Sequence, residues 1–167
     1  MNKKKGNLIF TSLRALVAVV LIFAVCTCAV ACTGTVDSEG VAHLVLVNGD
    51  ECKQFDVELS ELEGASGAIA LLDYLKSMEK IDYLAQEGAY GAYLGEVKTA
   101  DGALVLKNDA LAGKYISIYT SVAEDMDVSE YKSTVEYEGV TLTSSGVGIS
   151  TMSVKDGSYI YITLISY

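Results

Sequence analysis

Apolar and polar residues alternate along most of the chain after residue 40, and this pattern predicts a domain made mainly of β-strands. Residues 41–47 form a β-prone run, and residues 55–59 alternate with period two after the turn sequence Asn48-Gly49-Asp50. Because Asn-Gly is a strong signal for a tight turn, we predict that the two runs pair as a first β-hairpin.

One segment has the period of a helix instead. Apolar residues recur at spacings of three and four, at Ala68, Leu71, Leu72, Leu75 and Met78. This spacing predicts a single helix over residues 67–79 that buries its leucines, with Ser66 as a suitable N-cap.

The rest of the chain returns to strand character, interrupted by turn signals. Strands are predicted over residues 90–97, 103–106, 114–122 and 158–165, with a further hairpin around Glu138-Gly139. A hairpin, one crossing helix and then several strands is the order of a β-grasp domain. The predicted fold class is therefore α+β and β-grasp-like, with one main helix packed on a mainly antiparallel sheet.

Four segments carry a more specific resemblance, namely residues 44–47, 68–75, 114–119 and 154–160. Together they resemble the transcobalamin-like C-terminal domain family over residues 41–167. The resemblance implies an exported bacterial binding or surface module of the β-grasp type more than an enzyme. It does not imply cobalamin as the ligand.

The N-terminal region predicts export. Four basic residues precede or enter a long apolar run over residues 15–34, and no acidic residue occurs before Asp37. The run closes on Ala29-Val30-Ala31-Cys32, which resembles the bacterial lipobox. We therefore expect residues 1–31 to be a lipoprotein signal peptide, Cys32 to be the lipidated first residue, residues 32–40 to be a tether and residues 41–167 to be the domain.

Two alternatives to lipidation stay open. Ordinary cleavage after Ala31 would release the protein with Cys32 as a free thiol, and the run over residues 15–31 is just long enough for a retained transmembrane anchor helix. All three interpretations place the domain on the extracellular face of the cell membrane or outside the cell.

Net charge and cysteine content restrict the possible partners and the possible fold types of the exported part. The signal contains four of the twelve basic residues and none of the twenty-two acidic ones, so the exported part has a formal charge of −14. Nucleic acid and anionic lipid are poor partners for that charge. Beyond Cys32 only Cys52 remains, which excludes a multi-disulfide scaffold and leaves a Cys32–Cys52 disulfide possible only without lipidation.

No residue pattern predicts catalysis, a cofactor or a metal. His43 is the single histidine and lies in a predicted strand, so a structural role is favoured over an enzymatic one. The acidic residues Glu124, Asp125, Asp127 and Glu130 do not have the spacing of an EF-hand and predict a solvated loop. Gly146-Val147-Gly148 predicts a turn or bulge rather than a phosphate cradle.

Tyrosine is the remaining candidate for function. All eleven tyrosines follow the first hairpin, and strand parity places Tyr115 with Tyr119 on one face, and Tyr159 with Tyr161 on one face. If the two faces coincide, they form an aromatic platform that could stack on a sugar or a planar ligand, although ordinary sheet packing is the alternative.

These observations favour a non-catalytic binding module, attached to the membrane by a lipid, whose partner is a small molecule, a glycan or a protein. The alternative is a surface interaction or adhesion module that pairs by strand addition at a sheet edge, motivated by the strand that runs toward Tyr167.

Overall fold

The structure, a computed structural model, describes residues 34–166. Its strands and α-helix, in chain order, are β1 (Val41–Asn48), β2 (Glu51–Glu58), α1 (Ile69–Ser77), β3 (Ile81–Gln86), β4 (Tyr93–Thr99), β5 (Val105–Lys107), β6 (Lys114–Thr120), β7 (Thr134–Tyr137), β8 (Val140–Ser144) and β9 (Tyr159–Ser166). Two 3₁₀ turns lie at Leu59–Leu62 and Ala123–Asp125. The described residues therefore form a mixed α+β fold with one α-helix and mostly sheet, as predicted.

The strands form two sheets. The larger sheet has six strands in the order β2-β1-β9-β6-β8-β7, and the smaller sheet has three strands in the order β3-β4-β5. Every pairing is antiparallel except that of β1 with β9, which run parallel from His43↔Tyr159 to Val47↔Thr163. The predicted hairpins β1–β2 and β7–β8 are confirmed, whereas β3 and the second sheet were not predicted.

The main core lies between one face of the larger sheet, helix α1 and the smaller sheet. Leu44 of β1 and Ile162 of β9 pack there with Leu72 of α1 and with Val97 of β4. The prediction that the helix buries Leu71, Leu72 and Leu75 is confirmed.

Helix α1 is shorter than predicted, and its cap differs. It runs over Ile69–Ser77 rather than residues 67–79, its N-cap is Ala68, and no side chain caps it. Backbone carbonyls replace the predicted Ser66 cap, because the amide of Ala68 donates to Met152 O at 2.8 Å and that of Ile69 donates to Ile149 O at 3.1 Å. These bonds satisfy donors that a helix start leaves unpaired.

Residues 34–37 belong to the folded unit and not to a free tether. The amide of Asp37 donates to Val154 O, the amide of Val154 donates to Thr35 O, and Gly34 O accepts from the amide of Gly67. The expectation of a tether over residues 32–40 is therefore corrected, since the chain is already hydrogen-bonded to the domain at Gly34.

The predicted signal or anchor helix over residues 1–31 and the lipidated Cys32 lie outside the described residues. Within residues 34–166, no helix has both the length and the apolar character needed to cross a membrane.

Candidate binding site

The four tyrosines singled out by strand parity lie on one side of the larger sheet, but they do not form one platform. Tyr119 pairs with Tyr161 in the sheet, and their rings meet edge to face with centroids 6.0 Å apart. Tyr115 pairs with Ile165, four residues along β6 from Tyr119, which is about 13 Å in a strand. The structure therefore separates Tyr115 from the other three.

Tyr137 of β7, which is not among the tyrosines predicted from sequence, completes the aromatic cluster. Its ring lies 5.9 Å from the ring of Tyr159 and 5.7 Å from that of Tyr161. The signal that could have found it is parity, because Tyr137 lies two residues after Val135, and therefore on the same strand face, in front of the Glu138-Gly139 turn.

The β7–β8 hairpin makes this face of the sheet a second packed layer. Tyr119 is only 4% exposed, and its hydroxyl accepts a hydrogen bond from Ser133 Oγ at 3.1 Å. Val45 and Leu142 are fully buried and do not belong to the main core. Tyr119 therefore acts in packing, and a ligand cannot stack on its ring without displacing the hairpin.

A polar network closes the edge of the aromatic cluster. His43 Nδ1 lies 2.7 Å from Asp56 Oδ1, and the His43 ring stacks on Tyr159 with centroids 4.5 Å apart. Gln54 Nε2 donates to the same carboxylate at 2.8 Å, while Gln54 Oε1 accepts from Tyr137 Oη at 2.9 Å. The hydrogen bond from His43 is the main cause that lowers the pKa of Asp56. These contacts hold the His43 side chain at the edge of the aromatic cluster.

Cys52 of β2 lies at the end of this polar network. Its thiol is exposed and lies 3.8 Å from Tyr137 Oη. Burial, followed by the contact with Cys52, raises the pKa of Tyr137 to about 12, so its phenol is protonated at neutral pH and able to donate to Gln54.

Two further exposed tyrosines, Tyr90 and Tyr93, lie beside a groove away from this cluster. The groove has a volume of about 410 Å³ and lies between the β3–β4 loop and the segment after β8. Its lining consists of Gly88, Ala89, Tyr90, Gly91, Tyr93, Ser145, Gly146, Val147 and Gly148. Tyr90 is 79% exposed and Tyr93 is 51% exposed. We call this feature the loop groove.

The backbone around Tyr90 is fixed although its ring is exposed. Its carbonyl oxygen accepts from the amide of Gly148 at 2.6 Å and from Thr151 Oγ1 at 2.9 Å. Two residues on, the amide of Ala92 donates to Ser150 Oγ at 2.7 Å. A Cβ on Gly148 would lie 2.5 Å from the carbonyl carbon of Gly91, so only glycine permits this approach of the two segments.

The sequence pattern predicts a strand over residues 90–97, but β4 begins at Tyr93 and leaves Tyr90 in the loop. The signal for this loop was the pair Gly88 and Gly91 on either side of Tyr90. Residues 146–148, predicted as a turn or bulge, line the groove on the side opposite this loop.

The acidic stretch next to the loop groove is not fully solvated, contrary to the prediction. Asp125 is 6% exposed, and its Oδ2 accepts from the amide of Ser153 at 2.6 Å. Its carbonyl oxygen also accepts from the amide of Gly146, a groove residue, at 2.9 Å. Burial of the carboxylate is the main cause that raises the pKa of Asp125. Glu124 instead pairs with Lys155 at the surface.

These acidic residues do not converge. Asp127 accepts hydrogen bonds from Ser129, so its carboxylate is engaged within its own loop. Among residues 34–166, no group of three histidine, cysteine, aspartate or glutamate side chains is placed to hold a metal ion.

Comparisons with known proteins give little further information. No family model and no curated protein sequence matches the chain. A crystal structure of a protein from Ruminococcus gnavus, described as "a putative metal binding protein", is similar with a TM-score of 0.46 and 14% sequence identity, over 77% of this chain and 99% of that one. This likeness is too distant to carry an argument about function.

Proposed function

We propose that this protein is an exported, lipid-anchored and non-catalytic binding module that holds a glycan in the loop groove. The observation that carries the proposal is the combination of an exposed ring and a fixed backbone at Tyr90. A residue whose backbone is already fixed loses less conformational freedom on binding than a residue in a free loop, because only its side chain has to be ordered when a ligand stacks on the ring. The apolar face of a sugar ring is suited to such a surface.

The shape of the loop groove supports the same proposal. Its volume of about 410 Å³ lies in the range of small-ligand sites. Four of its nine lining residues are glycines, so a ligand can approach the backbone closely, as polar recognition of sugar hydroxyls requires. Tyr93 supplies a second ring, which is oriented by a 2.9 Å hydrogen bond from its hydroxyl to Gln86 Oε1.

The strand order supports a finer assignment of the fold, to the β-grasp domains that the transcobalamin-like C-terminal domain family contains. In such domains a hairpin leads to a crossing helix, and the last strand lies parallel beside the first. Here β9 runs parallel to β1 in the middle of the larger sheet, with β2 and β6 on either side.

This position of β9 removes the motivation for strand addition at the C-terminal strand. From Tyr159 to Thr163, β9 is paired with β1 on one side and with β6 on the other, so it offers no open edge there. Ligand binding at the loop groove is therefore the function that we propose.

The test is a glycan-array screen of the purified protein, followed by titration calorimetry with the strongest hit. Tyr90→Ala is expected to weaken binding at least about tenfold, since it removes the exposed stacking surface. Tyr115→Ala serves as the matched control, because Tyr115 is an exposed tyrosine at a different part of the sheet, and it should leave affinity unchanged. If Tyr115→Ala abolishes binding and Tyr90→Ala does not, the loop groove is not the site.

A further inference from the structure

A second groove runs along helix α1, separate from the loop groove. It has a volume of about 500 Å³ and is lined by Glu61, Leu62, Glu63, Ala65, Ser66, Ile69, Ala70, Asp73, Tyr74 and Ser77. From Ile69 to Ser77 these residues recur at spacings of three and four, so they form one stripe along α1, and Ser66 lies before its N-cap. The nine residues of α1 correspond to about 13 Å, which is enough for about four residues of an extended peptide.

The floor and the rim of this helix groove differ in chemistry. Leu62 and Ala70 are buried beneath it, and the half-buried Ile69 and Tyr74 add apolar surface. The rim carries three carboxylates, from Glu61, Glu63 and Asp73, and no basic side chain is among the residues that line the groove.

The rim carboxylates have no basic partner within the described part of the chain, whereas several other acidic residues do. Asp82 pairs with Lys76, and Glu96 pairs with Lys107. Among the ion pairs of residues 34–166, none involves Glu61, Glu63 or Asp73. Asp73 is also held in place, because Tyr83 Oη donates to its Oδ1 at 2.6 Å.

We propose that the helix groove binds a basic, amphipathic segment of a partner protein in an extended conformation. Lysine or arginine side chains of the segment pair with the carboxylates of Glu61, Glu63 and Asp73. Its alternate, apolar side chains pack on Leu62 and Tyr74. The charge of −14 on the exported part attracts such a segment over a longer range, while the rim and the floor position it.

The arrangement of the carboxylates decides between this occupant and a single bound cation. One cation would need the three carboxylates to converge on a point, and the described residues contain no such cluster of three. A segment whose charges are spaced along its length can instead pair with each carboxylate separately, because Glu61 lies in the first 3₁₀ turn and Asp73 lies in α1.

The test uses the full chain in a non-ionic detergent, with detergent alone as the blank. The probe is a fluorescein-labelled hexapeptide of alternating lysine and leucine, and binding is followed by fluorescence anisotropy. Hexapeptides of alternating lysine and serine, and of alternating glutamate and leucine, are compared with it. We expect the lysine–leucine peptide to bind at least about tenfold more tightly than either, a difference of about 1.4 kcal/mol or more. Equal binding of the lysine–serine peptide would overturn the proposed role of the apolar floor.

Two triple variants locate the site. Glu61→Gln, Glu63→Gln and Asp73→Asn together neutralise the rim, and the amide that replaces the Asp73 carboxylate still offers an oxygen to Tyr83. Asp50→Asn, Glu87→Gln and Glu130→Gln remove the same charge from exposed positions outside the groove. The first set should weaken binding about tenfold, and the second set by less than about twofold. Equal losses, or no loss from either set, would overturn the proposal.

One further variant covers the case in which the rim variant does not fold, as judged by its circular dichroism spectrum. Ser66→Lys adds a positive charge at an exposed groove position and leaves the carboxylates in place. Repulsion should then weaken the binding of the lysine–leucine peptide. Unchanged affinity in this variant, with the fold intact, would contradict the proposal.

Discussion

At the scale of single residues, Asp125 joins the loop groove to the rest of the domain. Its side chain accepts a hydrogen bond from the amide of Ser153, and its carbonyl oxygen accepts one from the amide of Gly146. Burial makes the ionised form of this carboxylate unfavourable and raises its pKa in the folded protein. The ionisation state of one side chain therefore affects the stability of a segment that lines the groove.

We predict that the stability of the Asp125→Asn variant, relative to that of the wild type, increases as the pH rises. Because the pKa of Asp125 is raised on folding, the folded state binds the proton more tightly than the unfolded state. The stability that this group contributes is thus fully present below its unfolded pKa of about 3.9 and is lost as the pH rises through the folded value. Asparagine resembles the protonated acid and has no such loss.

The measurement is urea unfolding of both proteins between about pH 4 and pH 7. The lowered pKa of Asp56 changes the stability of both proteins equally, so the difference between variant and wild type isolates Asp125. A difference that stays constant over this range, or moves against the variant as the pH rises, would show that the buried carboxylate is not destabilised.

At the scale of elements, the start of α1 depends on a close contact between two glycine-containing segments. Gly67 has a φ of 74°, and a Cβ at this position would lie 2.1 Å from Ser150 O. The same contact region supplies the carbonyls that accept from the first helix amides. Glycine is therefore required at Gly67 for two reasons, its backbone conformation and the space around it.

Gly64 provides a control that separates the two reasons. It has a similar φ of 77°, but a Cβ there would have nothing within 4 Å. We expect Gly64→Ala to lower the free energy of unfolding by about 1 kcal/mol from backbone strain alone. Gly67→Ala should lower it by about 3 kcal/mol or more, since overpacking adds to the strain. Chemical denaturation measures both, and equal losses would refute the packing argument.

Local signals explain which elements were predictable from sequence. The turns Gly49-Asp50 and Glu138-Gly139 each join paired strands, and the latter has φ values of 49° and 81° that suit its hairpin. The first turn lies one residue later than Asn48-Gly49, because Asn48 pairs with Glu51 as the last residue of β1. Strand β3 was missed because Ile81–Gln86 is short and its burial depends on packing against α1. The alternation of apolar and polar residues in this segment is too short to distinguish a strand from a continuation of the helix.

The candidate site was less predictable, because its contacts are remote in sequence. Parity predicted one face for Tyr115 with Tyr119 and one for Tyr159 with Tyr161, and left open whether the two faces coincide. The structure pairs Tyr119 with Tyr161, and parity gave no sign that the β7–β8 hairpin covers them. The exposure of Tyr90 depends on hydrogen bonds to Gly148 and Thr151, about sixty residues away. No local sequence pattern predicts hydrogen bonds between residues so far apart in the chain.

At the scale of the whole molecule, the folded domain begins two residues after the proposed lipidated cysteine in the sequence. Gly34 already accepts a hydrogen bond from the amide of Gly67, and a Cβ on Gly34 would lie 2.0 Å from Met152 O. Only Thr33 separates Gly34 from Cys32 in the sequence. If Cys32 carries the lipid, the chain offers at most about 7 Å of free linker between the acylated residue and the fold.

Lipidation of Cys32 is the last prediction, and Cys52 supplies its control. Cys32→Ser should leave an unprocessed precursor in the membrane, because the modified cysteine is required before a lipoprotein signal is removed. Cys52 lies in β2 with an exposed side chain, so Cys52→Ser should be processed and anchored like the wild type. Intact-mass analysis of the mature protein should find a chain that begins at Cys32 and carries an acyl modification. A mature protein that begins at Cys32 without an added mass, or one that retains residues 1–31, would refute lipid anchoring and leave secretion or a retained helix, respectively.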